Sequence, residues 1–420
     1  MANIIMEDVK GGGGEDQLPE FLATDYNYSY ENSMITSIGI GKFAFQKLTT
    51  INLANCSFIG ASAFYSCGNL YSVNFPECKT ISMDAFNSCS RLQKISFPEC
   101  TAIGLGAFIR CGSLSSIYFP KCISIDTRAF EYCSSVKTVS FPMCEYIGAS
   151  AFNSGTFSSI SFPECTVIDG FAFAYCSSSL TTAIFPKCTS IGSNAFTKCH
   201  KLVSISFPEC ITIGSYAFSG CSALSSVYFP KCTYVSSYAF NGCSNISTIS
   251  FPECISFGTY AFTNLSNLTT VDFSKCVTIP QSVFAQNGKL VNLNFPECTT
   301  IGTNAFASCS ALSSVYFPKC TTISNYAFRN DLSLATASFP ECTVLGSGAF
   351  FNCVRLVSLY LLGSTFVSLI SSTSTFLSTP IGGYSEIAGQ YGSIYVPASM
   401  LESYKTRAVW SAYSDRFVGI

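Results

Sequence analysis

The sequence predicts a solenoid, mostly β, in which short parallel strands stack one coil upon the next. Three observations carry that expectation. One short phrase, most copies ending in Ala-Phe, recurs fifteen times at a near-constant 22-residue step. Its phenylalanines fall at Phe45, Phe64, Phe86, Phe108, Phe130, Phe152, Phe173, Phe196, Phe218, Phe240, Phe262, Phe284, Phe306, Phe328 and Phe350. A unit that short cannot bury an apolar face alone, so each must cover the next. Finally, 28 of the 38 phenylalanines occupy only two registers, thirteen in a strand-like segment and fifteen in the Ala-Phe turn.

The unit from Leu224 to Asn245 shows the elements in order. Leu224, Val227 and Phe229 point inward, with Tyr228 outward between them, the period-2 alternation of a short strand. Pro230 ends pairing where its missing N–H is tolerated. A turn through Val235-Ser236 leads to Ala239-Phe240, where Ala permits close approach and Phe plugs the interior from the opposite wall. A crossover of about 16 residues between strands demands parallel pairing. The Ala-Phe wall, built of turns or short 3-10 pieces, has the greater girth, so strands are expected on the concave face and turns on the convex one.

Domain boundaries follow from the repeat. Residues 1–14 form an arm ending in the glycine run Gly11–Gly14, 15–34 an N-terminal cap, 35–362 the repeats, and 363–420 closing strands with a capping helix. That helix is expected over Pro397 to Phe417, contributing Leu401, Tyr404, Trp410 and Phe417 to the core. The glycine run lacks a following Gly-Lys-Ser/Thr and so is no phosphate loop. Leu356 to Leu377 is uncharged, but its Ser and Thr content and its continuation of the repeat mark it as solenoid rather than membrane span. The start shows neither a basic nor an apolar leader segment, so no secretory signal is expected.

Units such as Ile213-Gly-Ser-Tyr-Ala-Phe-Ser-Gly-Cys-Ser-Ala-Leu224 resemble BspA-like (Treponema-type) leucine-rich repeats over roughly residues 35 to 362. The tail, Gly392 through Pro397, Tyr404, Trp410, Tyr413 and Phe417, resembles the closing segment of members from gut bacteria and their prophages. The resemblance implies a right-handed, horseshoe-like leucine-rich-repeat solenoid with capped ends and, for secreted members, adhesion to host or bacterial surfaces. No export signal or wall anchor of the kind such members carry is expected from this sequence.

Composition narrows the partners. Lys plus Arg is 22 against 24 Asp plus Glu, a net charge of −2, so nothing is set up to neutralise phosphates and nucleic acid is not an expected partner. Charged residues are only 11%, and Ser and Thr supply the polarity, which suits neutral partners such as protein loops or glycans. The 24 cysteines sit in two registers, fourteen after the strand and ten after Ala-Phe. Neighbours about 4.8 Å apart could form a disulfide ladder. In the second register, however, Gly155, Leu265, Asn287 and Asn330 interrupt the column and isolate Cys309 and Cys353. Free thiols are therefore expected, and with them a reducing or anaerobic setting. No metal is expected, since there is no Cys-x-x-Cys pair and His200 is the single histidine. The Cys199-His200 neighbours are expected to diverge, no catalytic constellation emerges, and no cofactor is implied.

Two patterns mark the surface. The residue after each Phe-Pro, or its equivalent, runs from Glu164 onward as an unbroken Glu-Lys alternation to Glu341, a rim ladder that suggests a 44-residue super-repeat. On the outward strand face, one column is nearly all Ser and Thr, a cheap way to solvate a sheet. Beside it runs a mixed column. Tyr118, Tyr228, Asp272, Asn294, Tyr316 and Tyr360 there, with Asn292 in the hydroxyl column, are the candidate contact residues, because solvation alone would not select them. The first expectation is thus a non-enzymatic recognition protein that binds a protein or surface glycan through its concave sheet. The alternative is a structural part of a phage or cell-surface appendage, projecting from an N-terminal attachment arm. An ice binder ranks third and an enzyme last.

Overall fold

A computed structural model describes residues 34–371 and 374–420, together with the strands Ile4–Met6 and Tyr28–Glu31. The expected glycine joint, Gly11–Gly14, and most of the 15–34 cap lie outside the described residues. The chain forms two compact units, Met1–Pro208 and Glu209–Ile420.

Both units are parallel β-solenoids, about seventeen turns in all, and each turn has three walls. The first wall is a strand of mostly three residues, such as Ser116–Tyr118 or Thr270–Asp272. Pairing is in register at the repeat spacing, Thr270 opposite Asn292 and Asp272 opposite Asn294. In the first unit Ile4–Met6 pairs with Tyr28–Glu31, which pairs with Leu48–Asn52, so these strands extend the same wall. The second wall was expected only as a turn. It is a second parallel sheet of two-residue strands, Thr300–Ile301 beside Thr322–Ile323 for example, in which the isoleucine is buried.

The third wall carries Ala-Phe and is also tied by backbone. N–H groups two before, at and two after the phenylalanine donate to the next turn: Gly106 to Thr127 O, Phe108 to Ala129 O and Arg110 to Glu131 O, at 2.8–2.9 Å. The N–H groups between them turn back three residues, as Ala107 does to Gly104 O and Cys111 to Phe108 O. This alternation needs left-handed backbone on both sides of each ring, φ 61° at Gly106 and 58° at Arg110. The same two positions are left-handed in turn after turn, and 26 non-glycine residues among those described adopt them. For an L-residue that conformation is unfavourable by roughly 1–2 kcal/mol, so interturn bonding and core burial must hold it.

The core is two columns of rings. Ala-Phe rings stack nearly parallel on one another, Phe86 on Phe108 and Phe108 on Phe130 at 5.1 Å. Strand rings stack likewise, Phe97 on Phe119 at 5.7 Å, and meet the first column edge to face at about 6 Å. All are essentially fully buried, each stabilising the stack by about 1.5–3 kcal/mol.

Two register expectations need correction. Phe45 is 71% exposed, whereas Phe43 is 1% exposed and stacks on Phe64 at 5.2 Å. Phe45 instead takes the left-handed position two after the ring, φ 60°. The column also extends one ring past Phe350, to Phe376 at 6.1 Å, across a longer loop that hid it from the repeat count. The tail differs as well. In place of one helix over 397–417, Leu401–Thr406 is helical, Ser411–Arg416 is 3-10, and Phe417–Gly419 pairs with Ser393–Val396 as a further parallel strand. Trp410 and Tyr404 are fully buried there. The Trp410 indole donates to Val367 O at 2.9 Å, and the Tyr404 hydroxyl accepts from Val367 N at 3.1 Å. Pro397 starts the segment, and the chain leaves helical backbone at Arg407, ψ 132°, which breaks the periodicity read from the sequence.

Glycine after the second-wall isoleucine has a specific role. A Cβ on Gly302 would lie 2.7 Å from the backbone carbon of Pro280 in the turn before, and one on Gly104 2.9 Å from Ile81 O. We expect Gly302→Ala to destabilise its turn by about 1–3 kcal/mol through overpacking, read by urea denaturation. Phe43→Ala should cost about 3–5 kcal/mol in hydrogen-exchange protection of its turn, while Phe45→Ala should change it by under about 1 kcal/mol. Equal effects would refute the register.

Candidate binding surface

With rings filling the interior, side chains available to a partner lie on the outer faces of the walls. On the first wall the middle residue of each strand points in and its neighbours point out, as the burial of Val315 between Ser314 and Tyr316 shows. Tyr118, Tyr228 and Tyr316 stand there 61%, 64% and 65% exposed. Tyr118 belongs to the first unit, opposite Ser140. The other six candidates belong to the second.

Within the second unit the structure brings part of the set together. Tyr228, Ser250, Asp272 and Asn294 lie side by side on consecutive paired strands. The Asn294 amide donates to Asp272 Oδ1 at 2.7 Å, and the Asn292 amide donates to Thr270 Oγ1 at 3.2 Å. Tyr316, Ser338 and Tyr360 form a second paired run. Tyr360 is half-buried rather than open, because Tyr395 stacks on it at 4.5 Å. Tyr395 was missed since it follows a 35-residue step, outside the 22-residue rhythm.

A second aromatic row was also missed, on the Ala-Phe wall. Tyr216, Tyr238 and Tyr260 stack face to face at 4.7 and 4.8 Å, each in left-handed backbone. Their common register, two before the ring, was visible in the sequence but overshadowed by the phenylalanines. Mutual stacking occupies their faces, leaving ring edges and hydroxyls outward.

The rim ladder is a set of pairs. Lys121, Lys187, Lys231, Lys275 and Lys319 each reach the Glu of the turn before, Glu99, Glu164, Glu209, Glu253 and Glu297, at 2.5–2.6 Å. Both partners are roughly half exposed, so each pair contributes about 0–1 kcal/mol and acts mainly on stacking register.

All 24 cysteines are buried free thiols. Strand-side thiols donate to the carbonyl two residues on, as Cys122 does to Ser124 O at 3.3 Å. Thiols after Ala-Phe donate to the ring residue's carbonyl in the turn before, Cys111 to Phe86 O at 3.1 Å and Cys353 to Phe328 O at 3.0 Å. Where cysteine is absent, Phe157 fills the space beside Gly155, and Leu265 fills its own. The fourth interruption is Asp331, not Asn330, which takes the left-handed position with φ 64°. Burial pushes the thiols upward, Cys56 to about 11 and Cys133 and Cys243 to about 12. Thiolate nucleophiles are thus suppressed. Cys199 is buried and donates to Phe173 O at 3.2 Å, while His200 is exposed. Among the described residues no group of three His, Cys, Asp or Glu could hold a metal, and no helix is long and apolar enough to cross a membrane.

Three-walled parallel coils with strands on one wall and turns on another define the leucine-rich-repeat class of solenoid. The chain belongs to the BspA-type leucine-rich repeat family, whose six-copy repeat region matches residues 21–137, 57–179, 166–287 and 233–357. Among solved structures, a leucine-rich repeat protein from Bacteroides ovatus is 24% identical over 80% of this chain and 86% of its own, with a TM-score of 0.61. A leucine-rich cell surface protein from Faecalibacterium prausnitzii is 21% identical over 90% and 86%, with a TM-score of 0.39. No curated protein matches the chain. Repeat proteins of this class are typically binding modules that use an extended strand face.

The thiols give a pH prediction. In the unfolded chain they ionise near 9.0, in the folded one only at 11 or above. A raised folded value means their contribution is complete below pH 9 and is lost as pH climbs beyond it. Stability should fall by about 1.4 kcal/mol per pH unit for each thiol unfolding in one cooperative block, measured by urea denaturation from pH 8 to 11. A flat profile would contradict it.

Proposed function

We propose that the chain is a non-enzymatic recognition or adhesion protein that binds a protein or surface glycan through the outer face of its three-residue strands. The contact region is the second-unit column running through Tyr228, Asp272 and Asn294 to Tyr316, with Asn292 beside it. One observation carries the reading. Tyr228 and Tyr316 stand about two-thirds exposed in a face otherwise solvated by serine and threonine, and exposed tyrosine offers large contact area at small entropy loss. The Asp272–Asn294 bond holds both side chains in fixed orientation, leaving acceptor and donor capacity outward. A glycan or a peptide loop, neutral and rich in hydroxyl or amide groups, matches such a strip. Tyr118 offers a similar exposed ring in the first unit, and Tyr360 supports the column through its stack on Tyr395.

The test is a glycan array and a host-extract pull-down with the purified chain, followed by titration of any hit. Tyr228→Ala with Tyr316→Ala should weaken binding at least tenfold, about 1.4 kcal/mol or more. Tyr384→Ala, equally exposed but off the strand face, should leave it unchanged. A double variant that binds every hit as tightly as the parent would remove this site from consideration.

A further inference from the structure

The slot filled by cysteine after each Ala-Phe is a donor position, because it faces the carbonyl of the ring residue one turn earlier. Two turns place other polar groups in it. Asn287, fully buried, meets the demand completely: its amide nitrogen donates to Phe262 O at 2.9 Å, 25 residues back, and its oxygen accepts from Leu265 N at 2.8 Å, 22 residues back. Asp331, two turns on and also fully buried, repeats half of this. Its Oδ1 accepts from Cys309 N at 2.7 Å, again 22 residues back. Its Oδ2 has no hydrogen-bond partner. By register that oxygen belongs with Phe306 O, since Cys309 reaches Phe284 O and Cys353 reaches Phe328 O, each 25 residues back. Two oxygens of that kind cannot bond unless one carries a proton.

We propose that Asp331 is a neutral carboxylic acid in the folded chain, its Oδ2–H standing in for the Asn287 amide toward Phe306 O, so that the turns around it are proton-linked and tighten in acid. The groups facing it support this. The titratable neighbours are the thiols of Cys309 in the turn before and Cys353 in the turn after, neither a cation. Arg329 is exposed and lies over the Tyr326 ring instead. Burial drives the Asp331 carboxyl far above the usual carboxylate range, opposed only by the Cys309 N–H. The sign follows. An unfolded Asp releases its proton near pH 4, whereas the folded one keeps it. Its stabilisation is therefore complete below that pH and shrinks as pH rises toward the folded value.

The experiment uses the full chain, Asp331→Asn, Asp331→Cys and Asn287→Asp, with hydrogen exchange of residues 302–335 and urea denaturation from pH 4 to 8. The parent and Asp331→Asn should agree near pH 4. Above it the parent's folding equilibrium should weaken by up to tenfold per pH unit relative to Asp331→Asn, with Asp331→Cys following the asparagine variant. Asn287→Asp should acquire the same dependence in its own turn. Infrared difference spectra of parent minus Asp331→Asn at pH 7 should show a protonated-carboxyl stretch. Parallel pH profiles, a carboxylate band in place of the carboxyl one, or an Asp331→Asn chain that fails to fold would each overturn the proposal.

Discussion

Every turn depends on its neighbours to dry its phenylalanine. Within its own turn the ring of one Ala-Phe meets other rings only at an angle, as Phe240 meets Phe229 at 6.1 Å, and it leaves both faces to other turns. It is sandwiched between the rings before and after, at 5.0 to 5.6 Å through most of the column, and cross-braced by the strand ring. The same dependence governs the backbone, whose donors alternate between the next turn and the local one. Stability is thus distributed along the coil as nearest-neighbour terms. A filled axis of this kind pushes recognition to the outer faces.

The thiol columns follow from that geometry. The slot beside each ring admits a small, mostly apolar group with one weak donor, which describes cysteine better than alanine or serine. Alanine would remove one of the carbonyl's two donors, since Phe86 O also accepts from Cys89 N at 3.2 Å, and serine would add a strongly hydrated hydroxyl to a dry site. The exceptions show that filling the shape is the requirement and a donor an addition: Leu265 and the Phe157 ring supply only the first, Asn287 both.

Repetition made the fold legible, because fifteen copies of one pattern leave little freedom in periodicity. Legibility failed where the rhythm broke. At the N-terminal end two phenylalanines, Phe43 and Phe45, competed for one register, and the Ala-Phe dipeptide pointed to the wrong one. Asn330 and Asp331 posed a similar ambiguity, one residue apart. The two-residue second sheet escaped notice because pairs such as Thr300-Ile301 are too short for alternation to show. Beyond Leu361 the spacing stretched, so Phe376 and Tyr395 had no register to announce them. On the outer face, sequence located the exposed tyrosines, because alternation assigns sidedness. It could not show that Tyr360 is covered by Tyr395, since that contact joins turns of unequal length.

Neighbouring turns are not equivalent through much of the coil. Each lysine ties to the glutamate behind it, and in the second unit glycine at 258, 302 and 346 alternates with Ser236, Pro280 and Ser324. The smallest piece that could be copied or lost without setting two glutamates or two lysines side by side is therefore a pair of turns, 44 residues. Inserting one turn alone would seat like charges on adjacent rungs and, on the second wall, press a serine or proline where only a hydrogen fits. Growth and shrinkage of such a gene should accordingly proceed in even steps.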